Sequence, residues 1–256
     1  MYPQPKLSLV GAGPGDPDLI SLKGIKALQA ADVVLYDALA SPELLAHAPL
    51  KAEKIFVGKR AGKHSVRQQD TNYMIAAYAY AYGHVVRLKG GDPFIFGRGH
   101  EEKTYAEHFG IEVEVIPGIS SVNAVPASAG IPLTKRGINQ SFFVLTGTTK
   151  EGKLSADLAL AARTSATIVI LMGLRKLGQI VSTFQEMGKG ELPIAVISSG
   201  TLAEQTQFVA TVNTIEELVT TNPPEGPTLI VLGEVVRLQE EFEKFSRELL
   251  VETNTL

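Results

Sequence analysis

The stretch RLKGGDPFIFGRG, residues 87–99, decides how the chain is interpreted, because a glycine-rich, aromatic loop directly follows an apolar strand. Gly90 and Gly91 allow the backbone to approach a ligand closely or to take positive φ, and Asp92 followed by proline fixes a turn. Gly-Asp-Pro is also a common turn, and in that interpretation the two phenylalanines only fill a core. A second glycine-rich loop, GAGPGD at residues 11–16, also follows a strand, so the two loops predict one ligand cleft.

The loop at residues 11–16 does not match a dinucleotide-binding fingerprint. That fingerprint needs G-x-G-x-x-G opening a helix directly, so that helix amides meet the pyrophosphate. Here the sixth position is Asp16, while Pro14 and Pro17 remove amides and delay the helix to Leu22. The sequence therefore argues against a dinucleotide-binding Rossmann domain.

Length and composition are those of an ordinary globular α/β protein. The 256 residues are 45% hydrophobic and 20% charged, which suits one large or two modest domains. The absence of cysteine excludes disulfides and thiolate chemistry. Residues 1–10 lack the long apolar core that precedes the cleavage site of a signal sequence, and the densest apolar run, residues 168–174, is too short to span a bilayer. We therefore expect a cytoplasmic protein without a membrane partner.

Charge is unevenly distributed along the chain. Residues 51–100 hold nine Lys or Arg against three Asp or Glu, whereas residues 201–256 hold three against ten. A solvated basic face would explain these cations, but several flank the glycine-rich loop and favour an anionic ligand. A nucleic-acid partner is not expected, because the net charge is −3 and no nucleic-acid-binding module is recognisable.

Alternating strand and helix patterns predict a mainly parallel sheet in the first half of the chain. The predicted strands are 7–10, 33–36, 54–57, 85–89 and 113–116, and the predicted helices are 22–29, 72–82 and 101–109. Ligands of such sheets bind beyond the carboxyl ends of the strands. The loops that follow the first four strands should therefore converge on one site.

A second run of alternating strands and helices begins after Pro117-Gly118. We therefore expect an N-terminal domain at residues 1–116 and a C-terminal domain at 117–238, followed by a charged helix and tail at 239–256. Its predicted strands are 142–146, 167–172, 194–198, 207–211 and 228–233, and its helices are 156–162, 177–187, 214–220 and the terminal 240–250. The polarity of residues 207–211 alternates, which is typical of an edge or antiparallel strand. This second sheet should therefore be mixed.

Six segments carry a resemblance to a known family. They are VGAGPGDPDLISLKGIKALQAADVVLYD, VGKRAGKHSVRQQD, VVRLKGGDPFIFGRG, VIPGISSV, AGIPLTKR and MGLRKL. In order and spacing they closely resemble the uroporphyrinogen-III C-methyltransferases of the tetrapyrrole methylase family. The resemblance extends over residues 6–238.

This resemblance implies two α/β domains around a cleft, in the tetrapyrrole methylase (class III methyltransferase) fold, and a homodimer. It implies S-adenosylmethionine as methyl donor, S-adenosylhomocysteine as product and no metal. The expected reaction methylates uroporphyrinogen III at C2 and then C7, giving precorrin-1 and then precorrin-2 for sirohaem, cobalamin or related pathways. Some relatives carry a dehydrogenase and ferrochelatase portion before this module, which we do not expect here because GAGPGD starts at Gly11.

The family's functional residues can be carried over to matching positions. Asp37 becomes the candidate base or stabiliser of the charged pyrrole, and Lys59 the candidate acid or substrate contact. Alternatively, Asp37 caps the following turn and Lys59 faces solvent. The candidate donor-binding residues are Pro14, Gly90, Gly91, Asp92, Ile95, Ser120, Ser121, Met172, Gly200 and Thr228. For Met172, at a strand end, the sequence alone favours a place in the core.

A basic set is expected to bind the acetate and propionate groups of the polyanionic tetrapyrrole. Its members besides Lys59 are Arg60, Arg98, Lys135 and Arg136. Arginine grips a carboxylate through two parallel hydrogen bonds, which lysine cannot do. The alternative for Arg98 is that it pins its own loop through backbone carbonyls.

Three residues depart from the family pattern. His100 stands where relatives commonly have Gly, and Lys135 stands where they have His, which keeps a donor with a permanent charge. Pro126 should bend or end the helix that starts near Ser120. Two other functions remain open: another methylase of the family, acting on a later corrin precursor, an RNA or a protein, and a noncatalytic protein that binds the tetrapyrrole or S-adenosylmethionine.

Overall fold

A computed structural model describes residues 4–58 and 67–239 of the chain. Between Ser120 and Ser121 it divides into two compact units, each with its own five-stranded sheet. The charged helix predicted at residues 240–250 lies outside the described residues. Within the described ranges, no helix is both long enough and apolar enough to cross a membrane.

The N-terminal unit is built on a parallel sheet. Its strands are β1 (Lys6–Gly11), β2 (Val33–Tyr36), β3 (Glu53–Phe56), β4 (His84–Lys89) and β5 (Glu112–Ile116). Its helices are α1 (Leu22–Gln29), α2 (Gln68–Tyr82) and α3 (Gly99–His108). The strands lie in the order β3-β2-β4-β1-β5, and every neighbouring pair is parallel. All five carboxyl ends therefore lie at the same edge.

Helices cover both faces of this sheet, which is why its strands are apolar runs rather than alternating ones. On one face, Val86 and Leu88 of β4 belong to a core cluster with α1. On the other face, Val85 belongs to a cluster with α2 and α3. Since side chains alternate along a strand, Arg87 and Lys89 project to the same face as Val85, beneath α2 and α3.

The C-terminal unit is built on a mixed sheet. Its strands are β6 (Phe142–Thr146), β7 (Thr167–Leu171), β8 (Pro193–Ser198), β9 (Thr206–Thr211) and β10 (Thr228–Leu232), and its helices are α4 (Ser121–Ser128), α5 (Leu158–Ala161), α6 (Leu177–Glu186) and α7 (Ile215–Thr221). The strands lie in the order β6-β7-β10-β8-β9. Only β6 and β7 pair in parallel, and the other pairs are antiparallel. The predicted mixed sheet, with β9 as an antiparallel edge strand, is confirmed.

Short 3-10 helices are the elements that the sequence did not predict. They are Pro17–Leu19, Pro42–His47, Leu174–Lys176 and Glu234–Arg237. In the first two, a side chain caps the segment and a proline follows it: Asp16 accepts from the Asp18 amide, and Ser41 accepts from the Glu43 amide. These local turns lack the apolar periodicity on which helix prediction depends.

Pro126 shortens α4, as the sequence predicts. The helix ends at Ser128, two residues beyond the proline. Gly130 then takes a φ of 73°, and the Ile131 amide donates to the Pro126 carbonyl at 2.8 Å. The proline therefore lies near the end of the helix, where its carbonyl accepts the bond that closes the last turn.

Backbone packs directly on backbone at the carboxyl edge of the N-terminal sheet. A Cβ added at Gly11 would lie 2.4 Å from the Gly118 Cα and 2.7 Å from the Gly91 carbonyl oxygen. A Cβ added at Gly118 would lie 2.3 Å from that same oxygen. The end of β1, the loop after β4 and the turn after β5 can therefore meet only because Gly11 and Gly118 have no side chain.

Replacing Gly118 with alanine should destabilise the protein, because the added methyl group meets fixed backbone atoms. Overpacking of this kind costs about 2–3 kcal/mol, so we expect the midpoint of thermal unfolding to fall by about 4–12 °C. Gly110→Ala is the control, since its φ is 70° but an added Cβ meets nothing within 4 Å. Gly110→Ala should lower the free energy of unfolding by about 1 kcal/mol and the midpoint of thermal unfolding by about 2–4 °C. An unchanged melting temperature for Gly118→Ala would contradict the contact.

Candidate active site

The β4–α3 loop, residues 90–98, has a strained backbone. Gly91, Phe96 and Arg98 have φ values of 66°, 51° and 59°. This left-handed conformation is free for glycine but costs about 1–3 kcal/mol for other residues and is concentrated at functional sites. The loop is closed by the Gly99 amide, which donates to the Pro93 carbonyl at 3.0 Å. The loop therefore closes on itself through its own backbone.

The two glycine-rich loops are joined through their backbones. The Gly91 amide donates to the Gly13 carbonyl at 2.6 Å, and the Gly13 amide donates back at 3.3 Å. Pro14 follows, partly exposed, and a 3-10 turn then separates this loop from α1. No helix opens directly on the loop, which agrees with the prediction against a dinucleotide-binding fingerprint.

Asp37 follows β2, and its carboxylate is held from three directions. Oδ1 accepts from the amides of Leu39 at 3.1 Å and Gly90 at 3.3 Å, and Oδ2 lies 3.3 Å from Nη2 of Arg87. The side chain keeps 23% of its surface exposed. Asp37 therefore caps its own turn, as one interpretation predicted, and also binds the amide that opens the β4–α3 loop.

A cluster of buried charges lies beneath Asp37. Glu102 of α3 has no exposed surface, and its Oε1 accepts from Nε of Arg87 at 3.1 Å and from Nε2 of Gln68 at 3.1 Å. Lys89 Nζ lies 3.0 Å from Oε2 of the same carboxylate. Burial lowers the pKa of Lys89, and the Arg87 guanidinium lowers it further, against the opposing effect of Glu102. We call Arg87, Lys89 and Glu102 the buried ion cluster.

This cluster corrects one expectation from the charge pattern. Arg87 and Lys89 were among the cations that favoured an anionic ligand. Both are about 95% buried, with side-chain exposures of 6% and 5%, and both pair with Glu102. They therefore neutralise a buried carboxylate and are not available to an anion in solution.

Asp92 organises the backbone around it. Its Oδ1 accepts from the Phe94 amide at 2.8 Å, and its Oδ2 accepts from the Gly118 amide at 3.0 Å. The carboxylate therefore ties the β4–α3 loop to the turn after β5. Any contact with a donor would be made by the remaining lone pairs of a side chain that is already fixed.

The tip of the β4–α3 loop exposes apolar side chains. Phe94, Ile95 and Phe96 are 50%, 40% and 46% exposed, so the interpretation that the phenylalanines fill a core is wrong. His100 packs edge-on against Phe94, with 6.3 Å between the ring centroids. His100, where relatives commonly have Gly, therefore packs against a side chain of the exposed tip.

Arg98, the last residue of the loop, makes a two-pronged ion pair with Glu101 in the first turn of α3. Its Nε and Nη2 lie 2.8 and 2.6 Å from the two oxygens of Glu101, and its side chain is 54% exposed. The hydrogen bond to Glu101 is the main reason why the pKa of Arg98 is raised. Within the described residues, the side-chain hydrogen bonds of Arg98 run to this carboxylate rather than to backbone carbonyls.

In the C-terminal unit, three predicted donor-binding residues lie at one edge of the sheet. Met172 directly follows β7 and Gly200 closely follows β8, while Thr228 begins β10. Because β10 is antiparallel to both β7 and β8, its start lies beside their ends. The pairing of Thr228 with Ser198 fixes this register.

Strain accompanies these positions as well. Met172 has a φ of 56° and is 51% exposed, so the alternative that places it in the core is wrong. Ser199 and Thr201, on either side of Gly200, have φ values of 49° and 71°. A Cβ at Gly200 would lie 2.4 Å from Cγ1 of Val125. Gly200 therefore allows α4 to approach this strained turn.

The other predicted residues have simpler surroundings. Ser120 is 8% exposed and ends the N-terminal unit, and Ser121 begins α4. Lys135 and Arg136 are exposed, and no ion pair of either is found within the described ranges. Lys59 and Arg60 lie outside the described residues. In residues 4–58 and 67–239, no three His, Asp or Glu side chains form a group that could hold a metal ion.

The sequence pattern of the Tetrapyrrole (Corrin/Porphyrin) Methylases matches residues 6–216. The chain belongs to the tetrapyrrole methylase family. A uroporphyrinogen-III C-methyltransferase of Methanocaldococcus jannaschii is 47% identical over 235 residues, which are 91% of this chain and 97% of that protein. A siroheme synthase of Actinobacillus pleuropneumoniae is 45% identical over 95% of this chain. The match covers 50% of that protein, so the chain spans about half its length.

Solved structures agree with the family assignment. The structure of uroporphyrin-III C-methyl transferase from Thermus thermophilus, complexed with S-adenyl homocysteine, matches with a TM-score of 0.78 at 36% identity. The match covers 91% of this chain and 99% of that one. The predicted class III methyltransferase fold is therefore confirmed.

Within this tetrapyrrole methylase, hydrogen bonds join several of the predicted residues. Asp37 contacts Gly90, Gly91 contacts the first loop, and Asp92 spans two loops. Glu102 was missed as a member of the site. The available signal was Arg87-x-Lys89 inside an apolar strand, since two cations on one buried face require a nearby anion.

Removing the Asp92 carboxylate should loosen the joined loops. We expect Asp92→Ala to speed hydrogen exchange at the Phe94 and Gly118 amides and to cost about 1–3 kcal/mol, because both amides lose their acceptor. Asp157→Ala is the matched control, since Asp157 is exposed and its side chain makes no hydrogen bond or ion pair in the described part of the chain. Unchanged exchange at both amides in Asp92→Ala would contradict the assigned contacts.

Proposed function

We propose that the chain is a uroporphyrinogen-III C-methyltransferase. It would transfer methyl groups from S-adenosylmethionine to C2 and C7 of uroporphyrinogen III, forming precorrin-2 by way of precorrin-1. The observation that carries the proposal is the pair of glycine-rich loops joined at Gly13 and Gly91, beside an anchored carboxylate at Asp37. The similarity along almost the whole length of the M. jannaschii methyltransferase supports the same activity.

We propose ten residues as donor-binding. In the N-terminal unit they are Pro14, Gly90, Gly91, Asp92, Ile95 and Ser120. In the C-terminal unit they are Ser121, Met172, Gly200 and Thr228. Glycines admit the donor close to the backbone, and the exposed Ile95 and Met172 offer apolar cover for an adenine or sulfonium group. These residues fit a donor that is part apolar and part charged.

Bound S-adenosylmethionine supplies an electrophilic methyl group, and the chain's own residues orient and stabilise the reaction. Attack by the pyrrole carbon on the methyl group breaks the sulfur–methyl bond and moves the positive charge from sulfur to the pyrrole ring, which must then lose a proton to become neutral. We propose that Asp37 stabilises that charge or accepts that proton, and that Lys59 is the acid or a substrate contact. Alignment of this kind can be worth about 7–11 kcal/mol through proximity and orientation.

Four cations are proposed to bind the carboxylates of the tetrapyrrole: Arg60, Arg98, Lys135 and Arg136. Of these, Lys135 and Arg136 are exposed neighbours on one loop, which suits a polyanionic ligand. Arg98 is held by Glu101 on one side, so its remaining donors would meet the substrate. No activity of the unmatched half of the siroheme synthases is proposed for this chain. We propose a homodimer from the family resemblance and a cytoplasmic location from the sequence.

One assay tests the proposed function. The protein is incubated anaerobically with uroporphyrinogen III and S-adenosylmethionine, without added metal or nicotinamide, and the product mass is measured. We expect two added methyl groups. Intact substrate recovered without any methyl group would contradict the enzyme assignment, and it would favour either a methylase of a later precursor or a noncatalytic protein that binds the donor without turnover.

Arg98 can be tested against a matched surface pair. Arg98→Ala should raise the KM for uroporphyrinogen III about 10-fold or more. Arg98→Lys should raise this KM less, because lysine keeps the positive charge but cannot form two parallel hydrogen bonds to a carboxylate. Arg237→Ala is the control, since Arg237 pairs with Glu234 at 3.0 Å with the same sequence spacing and a similar exposure of 55%. Loss of donor affinity in Arg98→Ala, with an unchanged KM for the tetrapyrrole, would contradict the assignment.

A further inference from the structure

The buried ion cluster is the least expected feature of the N-terminal unit. Among the residues that the structure describes, Arg87, Lys89 and Glu102 are the only charged residues that are buried. All three contact one another through the Glu102 carboxylate. Their charges sum to one positive charge, which the nearby Asp37 carboxylate balances.

Stability alone does not explain such a cluster. Taking ions out of water costs free energy, and buried Arg–Glu clusters can often be replaced by apolar side chains without loss of stability, and sometimes with a gain. A buried ion cluster therefore calls for an explanation other than stability. Here the explanation lies in the contacts that Nη1 and Nη2 of Arg87 make.

Arg87 connects the fully buried Glu102 to the partly exposed carboxylate of Asp37. Its Nε binds Glu102, and its Nη2 reaches Asp37 Oδ2 at 3.3 Å. Its Nη1 donates to the carbonyls of Leu35 at 3.3 Å and Leu88 at 2.9 Å. Because the guanidinium is planar and rigid, these contacts together fix where Nη2 lies and hence where Asp37 Oδ2 lies.

The same cluster also holds both ends of the β4–α3 loop. Arg87 and Lys89 are in the strand that leads into the loop, and Glu102 is in the first turn of the helix that follows it. Gly90, the first residue of the loop, donates its amide to Asp37 Oδ1 at 3.3 Å. Two of the three groups that hold the Asp37 carboxylate, Arg87 and the Gly90 amide, thus depend on the cluster.

We propose that Glu102 is a positioning residue for Asp37, acting through Arg87. By fixing the guanidinium, Glu102 keeps the Asp37 carboxylate in the one orientation that serves methyl transfer. The proposal rests on the proposed function, in which Asp37 acts on the substrate. Glu102 has no exposed surface and so touches neither reactant, which makes any effect on turnover indirect.

Glu102→Gln tests the proposal because it removes the charge and keeps the shape. We expect kcat to fall about 10- to 100-fold, with the KM for uroporphyrinogen III and the affinity for S-adenosylmethionine changed less than about 3-fold, since misplacement of a catalytic group reduces turnover rather than binding. Hydrogen exchange should also speed up at the Leu39 and Gly90 amides, which donate to Asp37. The Phe94 amide, which donates to Asp92, is the internal control and should be unchanged.

A second variant separates positioning from folding. The triple variant Arg87→Met, Lys89→Met, Glu102→Met leaves no unpaired ion in the cluster, so it should melt at or near the wild-type temperature. It should still show the low kcat, because nothing then holds Asp37 Oδ2. A folded triple variant that turns over at the wild-type rate would overturn the proposal, as would Glu102→Gln with unchanged kcat and unchanged exchange at Leu39 and Gly90.

Two further measurements distinguish failure of this inference from failure of the proposed function. If the wild-type protein methylates no uroporphyrinogen III, the proposed function fails, and the exchange rates at Leu39 and Gly90 still decide whether Glu102 orders Asp37. If the wild-type protein is active, Asp37→Ala should reduce kcat at least as much as Glu102→Gln. An Asp37→Ala variant with full kcat would overturn the positioning role, since there would be nothing catalytic to position.

Discussion

Direct contact between backbones at Gly11, Gly91 and Gly118 is the constraint on which the proposed site in the N-terminal unit depends. Each added Cβ at Gly11 or Gly118 would come within 2.7 Å of a neighbouring backbone atom. Because three chain segments meet without side chains between them, amides and carbonyls face one another across the sheet edge. The Asp92 carboxylate and the Gly13–Gly91 bridge then use those groups to lock the loops.

The fold of the N-terminal unit was largely predictable, because a parallel sheet covered on both faces produces short apolar runs that stand out in the sequence. The errors lie at element ends. The helix predicted from residue 72 begins at Gln68 in the structure, and its first turn is polar. The Asp70 carboxylate accepts from the Arg67 amide at 3.2 Å, so capping starts this helix before its apolar periodicity does.

The placement of the candidate site residues was predictable only where it follows from their position at a strand end. Asp37, Gly90 and Asp92 meet that condition, because parallel strands bring their carboxyl ends together. Arg87 and Lys89 do not, since a local count of charges cannot find a partner. Their counter-ion, Glu102, lies in a helix with two adjacent glutamates, and only the packing of α3 on the sheet decides which of them is buried.

Strained residues give an independent view of the same loops. Within the described residues, the non-glycine positions with left-handed φ are Phe96, Arg98, Met172, Ser199 and Thr201. All five follow the carboxyl end of a strand. Each costs about 1–3 kcal/mol and persists only where the surroundings fix it, as the close approach of Val125 to Gly200 does. Since φ values describe the backbone of this chain alone, the strain supports a functional role for these strand ends by an argument separate from the motif resemblance. It also explains why Met172 was misplaced, because a methionine at a strand end carries no sequence signal for a left-handed backbone.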